Sequence, residues 1–198
     1  MKVSVFVGDI ADADAEAVCT STNSRLSLVM GTGASVRARG GIEILRACEE
    51  IVDAAERRQG RRTLAPGTAH VTTAGQLPHE IAIHCVASND AHESSEAIIR
   101  LCVQNALRRA DERGCTSVAM PVFATGHAHA KFDRAIRVMA EEIRGARTSV
   151  RQITIVVSSD DRAEDARSVL ADVLQYEVPV SRAVAEVEAP ISWWSAQG

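Results

Sequence analysis

Short apolar runs alternate with longer stretches of helical spacing along the chain. Residues 3–7, 81–87 and 153–157 are predominantly apolar and β-branched, which is typical of buried strands. Between such runs, apolar residues recur every three or four positions, as they do from Ile42 to Ala55, and this spacing is that of a helix with one buried face. The alternation predicts an α/β fold in which helices cover both faces of a sheet.

Turn residues set the boundaries of the predicted elements. Gly40-Gly41 interrupts the first helical stretch, which begins near Ala34, and Gly60 and Pro66-Gly67 end it. Six strands are predicted, at residues 3–7, 15–21, 68–73, 81–87, 117–122 and 153–157. Further helices are predicted at residues 95–113, 132–144 and 163–174.

The chain divides into a domain at residues 1–175 and a C-terminal extension at residues 176–198. Residues 178–180 and 184–189 resemble an added edge strand, and Trp193-Trp194 follows them. Three interpretations of this extension stay open: packing on the domain, a contact between copies in a homo-oligomer, or a flexible tail.

Composition and charge exclude several classes of protein. The 198 residues are 46% hydrophobic and 24% charged, which is ordinary for a globular protein, and no apolar run is long enough to span a membrane. The N-terminal strand lacks the pattern of a signal peptide. A net charge of -4 and 3% aromatic residues disfavour broad nucleic-acid binding. We therefore expect a cytoplasmic protein with no membrane partner.

Cysteine and histidine spacing predicts neither disulfides nor a metal site. The five cysteines are odd in number, form no Cys-x-x-Cys pair and lie among apolar residues, as buried free thiols do. His127-x-His129 has no cysteine or acid nearby, so it does not predict a metal site. We also expect no cofactor. His84 lies in an apolar strand and is interpreted as a core histidine, and Asp160-Asp161 is interpreted as the cap of the last helix.

Three segments carry candidate binding chemistry, because each follows a predicted strand and is rich in small residues. They are Gly8-Asp9-Ile10, the stretch from Thr20-Ser21-Thr22-Asn23 to Gly31–Val36, and Pro121–His127. Ligands of α/β sheets bind at the carboxyl ends of strands, where glycine-rich turns and helix N-termini present backbone N–H groups to phosphates. Two facing loops would clamp a diphosphate. The alternative is that the glycines only make turns, since Gly31-x-Gly33 lacks the third glycine of a dinucleotide fingerprint.

Taken together and in this order, the segments resemble the macrodomain family, which binds ADP-ribose. The resemblance covers about residues 3–174 and includes further matches at Pro66-Gly67, Leu77-Pro78 and residues 81–86. It implies a three-layer α/β/α sandwich with a mixed sheet of about six strands.

The resemblance also implies roles for particular residues. Asp9 would accept a hydrogen bond from the adenine amino group beside Ile10, Asn23 would bind the distal ribose, and Ser158 would lie near adenine. The diphosphate would lie between two sets of residues, namely Thr32, Gly33, Ala34, Ser35 and Val36 on one side and Ala124, Thr125, Gly126 and His127 on the other.

Departures from the family pattern favour binding over hydrolysis. Thr20 replaces the first Asn of the family's Asn-Ala-Ala-Asn, and Gly33 replaces the acid of the hydrolytic MacroD-type members. The aromatic residue expected near adenine falls at Ser158 or Ser159, and the loop tyrosine falls at Ala128. We therefore expect binding of ADP-ribose or of mono-ADP-ribosylated protein, with weaker affinity than in the family members that bind tightly.

Two other functions stay open. One is an ADP-ribosyl or O-acetyl-ADP-ribose hydrolase that uses Asn23, His127 or a thiol such as Cys19. The other is an interaction module whose pocket has decayed.

Overall fold

The computed structural model describes residues 1–126 and 128–183, which form one mixed sheet with helices on both faces. The strands are β1 (Lys2–Val7), β2 (Ala17–Asn23), β3 (Ala69–Thr73), β4 (Ile81–Ser88), β5 (Ser117–Pro121), β6 (Gln152–Val157) and β7 (Val180–Arg182). The helices are α1 (Gly31–Gly40), α2 (Ile42–Gln59), α3 (Glu96–Glu112), α4 (Phe132–Gly145) and α5 (Asp160–Leu174), and a 3₁₀ turn spans Ile10–Asp12.

Strand order places many strand ends at one edge of the sheet. The order is β3-β4-β2-β5-β6-β1-β7, and all neighbours are parallel except the β3–β4 pair. The carboxyl ends of six strands therefore meet at the same edge, and this edge carries the site described below.

Two apolar cores lie on opposite faces of the sheet. Helices α3, α4 and α5 cover one face through residues such as Ile99, Ile136 and Leu170. Helix α2 covers the other face through Ile44 and Val52. This arrangement confirms the predicted three-layer α/β/α fold.

Two local predictions were wrong. Helix α1 begins at Gly31, about one turn before Ala34, so the expected glycine turn is the entry of the helix. Glycine has a low helix propensity, and tertiary contacts override it here. The side chain of Ser159, rather than Asp160-Asp161, caps α5 by accepting a hydrogen bond from Arg162 N, and the two aspartates lie in the first helical turn.

The residues after 175 add a seventh strand to the sheet. Strand β7 runs parallel to β1, Val178 is buried, and Tyr176 Oη accepts a hydrogen bond from Val3 N at 2.9 Å. The predicted strand at residues 184–189 and the Trp193-Trp194 pair lie outside the described residues.

All five cysteines are buried and free, in agreement with the sequence. Burial raises the pKa of Cys48 and of Cys102 to about 12. In the described part of the chain, no helix combines the length and apolarity needed to cross a membrane.

Candidate functional site

An open cleft of about 540 Å³ lies at the carboxyl edge of the sheet. Its walls come from the ends of β1, β2, β4, β5 and β6, from the start of α1 and from the loop between β5 and α4. Nine of the predicted binding residues line it, namely Asp9, Ile10, Asn23, Thr32, Ser35, Ala124, Thr125, Gly126 and Ser158.

The segment after β1 presents an exposed carboxylate to one end of the cleft. Asp9 caps the 3₁₀ turn because its Oδ1 accepts a hydrogen bond from Ala11 N at 2.8 Å. The same oxygen accepts a hydrogen bond from Ser35 Oγ. Gly8 packs tightly before it, since a Cβ there would lie 2.8 Å from the Phe6 ring. The position of Asp9 is thus fixed, and its Oδ2 has no hydrogen bond within the described residues.

Asn23 ends β2, where the pairing with β4 shifts register. Its side-chain oxygen accepts hydrogen bonds from Arg25 N at 3.1 Å and from Ser27 N at 3.2 Å. The oxygen is therefore used to shape the turn, and the NH₂ group is the part of the side chain that can donate to a ligand.

Helix α1 presents only one side to the cleft. Thr32 and Ser35 line it, because residues three apart share a helix face. Gly33 and Val36 are buried, and Gly33 lies against Leu28. Ala34 is half-buried and does not line the cleft.

The first turn of α1 also supplies backbone donors. The residue before the helix, Met30, makes no side-chain cap, so the N-terminal N–H groups keep their capacity to bind an anion.

The loop after β5 is held in a defined shape. Ala124 has φ +64°, which is uncommon for a residue with a Cβ, and its carbonyl accepts a hydrogen bond from Ala130 N at 3.1 Å. Thr125 Oγ1 donates to Val122 O at 2.9 Å. His127 lies outside the described residues.

Ser21 links helix α1 to the β5–α4 loop, a positioning role that the sequence pattern did not indicate. Its backbone N–H donates to Thr32 Oγ1 at 3.3 Å, and its Oγ accepts from Ala124 N at 3.2 Å. One residue at the end of β2 thus bridges α1 and the β5–α4 loop. The only sequence signal was a small hydroxyl residue at a strand end.

Phe132 and Arg162 also line the cleft and were not predicted as site residues. The guanidinium carbon of Arg162 lies over the Phe132 ring, 4.5 Å from its centroid. The sequence predicts Phe132 at the start of a helix and Arg162 just before one, and neither position indicates that the two side chains meet.

Thr20 and Cys19 are buried in the interior and do not line the cleft. Thr20 Oγ1 lies 2.9 Å from Nδ1 of His84, and Thr72 Oγ1 lies 2.8 Å from Nε2 of the same ring. Burial and the nearby His70 lower the pKa of His84 to about 3. His84 is therefore a neutral core histidine with both ring nitrogens hydrogen-bonded, as its apolar strand indicated.

Two of the described residues that line the cleft, Asp9 and His92, carry groups suited to acid–base chemistry. Among the described residues that line it, Asp9 is the single carboxylate. Across residues 1–126 and 128–183, no group of three potential ligands could hold a metal ion. The cleft is lined mainly by small and hydrogen-bonding side chains, together with one carboxylate, Asp9, one imidazole, His92, and one guanidinium, Arg162.

Sequence comparisons place this chain beside known proteins. A family model described as "Macro domain" matches residues 19–139. A Streptomyces coelicolor protein described as "Macro domain-containing protein SCO6450" is 33% identical over 167 residues, covering 83% of this chain and 95% of that protein. An uncharacterized Mycobacterium tuberculosis protein is 29% identical over 168 residues, and the match covers 85% of this chain but 44% of that protein.

Solved structures share the fold. A mutant of the Oceanobacillus iheyensis macrodomain with ADPR has a TM-score of 0.77 at 22% identity, with 87% of this chain and 93% of that chain covered. The Trypanosoma brucei macrodomain in complex with ADP-ribose has a TM-score of 0.70 at 17% identity, with 83% and 67% covered.

Proposed function

The chain belongs to the macrodomain family, and from that premise we propose that it binds ADP-ribose, free or attached to a protein. The observation that carries the proposal is that Asp9, Asn23 and the two loops meet in one cleft. Two of the solved structures with this fold are described as holding ADPR or ADP-ribose, which is the ligand chemistry that the cleft suits.

Adenine would lie at the Asp9 end of the cleft. The free Oδ2 of Asp9 would accept a hydrogen bond from the exocyclic amino group, and the backbone of Ile10 would contact the ring edge. Ser158 lines the same end, because β6 is paired with β1 up to Val157 and Val7.

The diphosphate would lie between the start of α1 and the β5–α4 loop. Thr32 and Ser35 offer hydroxyl groups, and the first turn of α1 offers backbone N–H groups. We propose that Gly33, Ala34 and Val36 contribute at most through the backbone. The opposite wall would be Ala124, Thr125 and Gly126, and the NH₂ group of Asn23 would reach the distal ribose.

Binding without hydrolysis is the function that this site supports better. Hydrolysis needs a group that activates water. Among the described lining residues, Asp9 and His92 have the chemistry for this. Asp9 already accepts two hydrogen bonds and is assigned to adenine, and His92 lies in the loop between β4 and α3, where three strands separate β4 from β1 in the sheet. Cys19 is buried away from the cleft. We further propose a cytoplasmic location, because five free thiols suit a reducing compartment.

Calorimetric titration with ADP-ribose, using AMP and ATP for comparison, tests the ligand. We expect saturable binding that is strongest for ADP-ribose. Asp9→Ala should weaken it about 10-fold or more, because a hydrogen bond to a charged group contributes about 1.5–3 kcal/mol. Asp12→Ala is the matched control, since Asp12 is also an acid near this turn but pairs with Arg39. Absence of binding by the unsubstituted protein overturns the proposal, and full affinity in Asp9→Ala overturns the adenine assignment.

Release of ADP-ribose from a mono-ADP-ribosylated protein and from O-acetyl-ADP-ribose tests the hydrolase alternative. We expect no release above that of a protein-free blank. Turnover by the purified chain would contradict the assignment of binding alone.

A further inference from the structure

Two residues from different helices build one wall of the cleft. Phe132 is the first residue of α4, and Arg162 lies in the first turn of α5. The Arg162 guanidinium lies 4.5 Å from the ring centroid, within the range of a cation–π contact. Both residues line the cleft, so the pair is open to a ligand.

The aromatic ring is the main neighbour that fixes the guanidinium. The ion pair of Arg162 with Asp165 is long, at 3.9 Å, and both side chains are about half exposed. Exposed pairs of this kind contribute little free energy. Arg162 is thus not neutralised by a close carboxylate, and its side chain remains available at the cleft.

The pair lies at the end of the cleft that holds Asp9. Strands β1 and β6 are neighbours, and Gly8 N donates to Val157 O at 3.0 Å. Helix α5 begins within three residues of the end of β6. The start of α5 is also fixed to the sheet, because Arg182 of β7 donates to Asp160 at 2.8 Å.

This end of the cleft lacks an aromatic residue where the strand leaves the sheet, since Ser158 and Ser159 follow β6 directly. A guanidinium group is planar and weakly hydrated, and it stacks on aromatic faces in a way that an ammonium group does not. Purine bases have such faces.

We propose that Arg162, positioned by Phe132, is the stacking surface for the adenine ring. This inference rests on the proposed binding of ADP-ribose. Arg162 contacts one face of the base, while Phe132 lies against the guanidinium and limits its rotation. The pair thereby replaces a direct aromatic contact and selects ligands with a large planar base.

Substitutions at Arg162 separate stacking from charge. Arg162→Lys keeps the charge but loses the planar group, and Arg162→Ala loses both. We expect each to weaken ADP-ribose binding by about five-fold or more in calorimetry, which is the lower part of the range for base stacking. Phe132→Leu should weaken binding less, because it only frees the Arg162 side chain. Arg167→Lys, on an exposed part of α5 and paired with Glu164, should have no effect.

Ribose 5-phosphate has no base, so its affinity, measured by NMR titration, reports on the contacts to ribose and phosphate alone. Its binding should be the same in the unsubstituted protein and in Arg162→Lys. Wild-type affinity for ADP-ribose in Arg162→Lys overturns stacking and indicates a charge contact or no contact. Equal losses for both ligands overturn it too, since the contact would then be to phosphate or ribose. If the unsubstituted protein fails to bind ADP-ribose, the proposed function fails, and the stacking assignment with it.

Discussion

Ser21 connects the two sides of the proposed diphosphate site through two different atoms. Its N–H donates to Thr32 and its Oγ accepts from Ala124. Ser21→Ala removes only the bond from Ala124 N to Ser21 Oγ. The N–H of Ala124, a residue with a positive φ, then loses its partner. We expect about 5- to 10-fold weaker ADP-ribose binding, since a lost hydrogen bond costs about 1 kcal/mol and the loop gains freedom.

Calorimetry on Ser21→Ala should be paired with Ser149→Ala. Ser149 Oγ donates to Asp111 at 2.6 Å, outside the set of residues that line the cleft. The control should lose some thermal stability but keep its affinity. Equal affinity in the two variants would mean that the Ser21 bridge has no role in the binding loops.

Two buried histidines, His84 and His70, make the stability of the fold depend on pH below about 6.5. The pKa of His84 is about 3 when folded, against 6.5 for an ordinary histidine, and that of His70 is lowered to about 4 by burial and by Arg109. Between these values and pH 6.5 the unfolded chain binds more protons. The free energy of unfolding therefore falls as the pH drops below 6.5, by about 1.4 kcal/mol per pH unit for each histidine.

Urea denaturation at pH 7, 6 and 5 measures this slope, and His84→Gln removes one titrating group. The variant should be less stable at pH 7 but should lose less stability on acidification. The same pH slope in the variant and the parent would show that His84 does not carry the effect.

At the residue scale, the sequence predicted residues that line the cleft better than those that organise it. Asp9, Asn23 and Thr125 lie in short motifs at strand ends, so their placement follows from the fold alone. Ser21, Phe132 and Arg162 depend on which loops and helices face each other, and that information is absent from local spacing. Gly33 and Val36 lie away from the cleft because their segment is a helix, where only every third or fourth residue shares a face.

At the scale of elements, a close backbone contact holds α1 in place. Gln76 N donates to Gly40 O at 2.9 Å, which joins the end of α1 to the turn between β3 and β4. Gly75 in this turn has φ +60°, and a Cβ there would lie 1.9 Å from Gly40 O. Any side chain at residue 75 would push α1 away.

Gly75→Ala should therefore destabilise the protein by more than the cost of a left-handed alanine, which is about 1 kcal/mol. We expect a loss of about 3 kcal/mol or more in chemical denaturation, with weaker ADP-ribose binding in the fraction that stays folded. Gly60→Ala is the control, because Gly60 has φ +68° but no atom within 4 Å of its Cβ position. Similar losses of stability in Gly75→Ala and Gly60→Ala would show that α1 can move away from a side chain at residue 75 at little cost in free energy.

At the scale of the whole molecule, alternating periodicity predicted a sheet with helices on both faces, and an added edge strand was expected at residues 178–180 and 184–189. The structure places an edge strand, β7, at Val180–Arg182 and pairs it with β1. Strand β7 has only three residues. It follows helix α5, which ends at Leu174, next to the predicted end of the domain at residue 175. Its pairing with β1 makes β1 an interior strand, and β1 leads directly into Asp9. The extension thus stabilises the strand that leads into the adenine end of the proposed site.

Two truncations test whether the domain ends at residue 175. A chain ending at Ala183 keeps Val178, the Tyr176 hydrogen bond and the pairing of β7, whereas a chain ending at residue 175 loses all three. Burying a valine contributes about 1.5 kcal/mol, and the hydrogen bond and the strand pairing add to it. We expect the shorter chain to lose about 3 kcal/mol in urea denaturation and to bind ADP-ribose more weakly, because the segment around Asp9 loses its neighbour. If both truncated chains are equally stable, residues 1–175 fold as an independent domain and β7 contributes nothing to its stability.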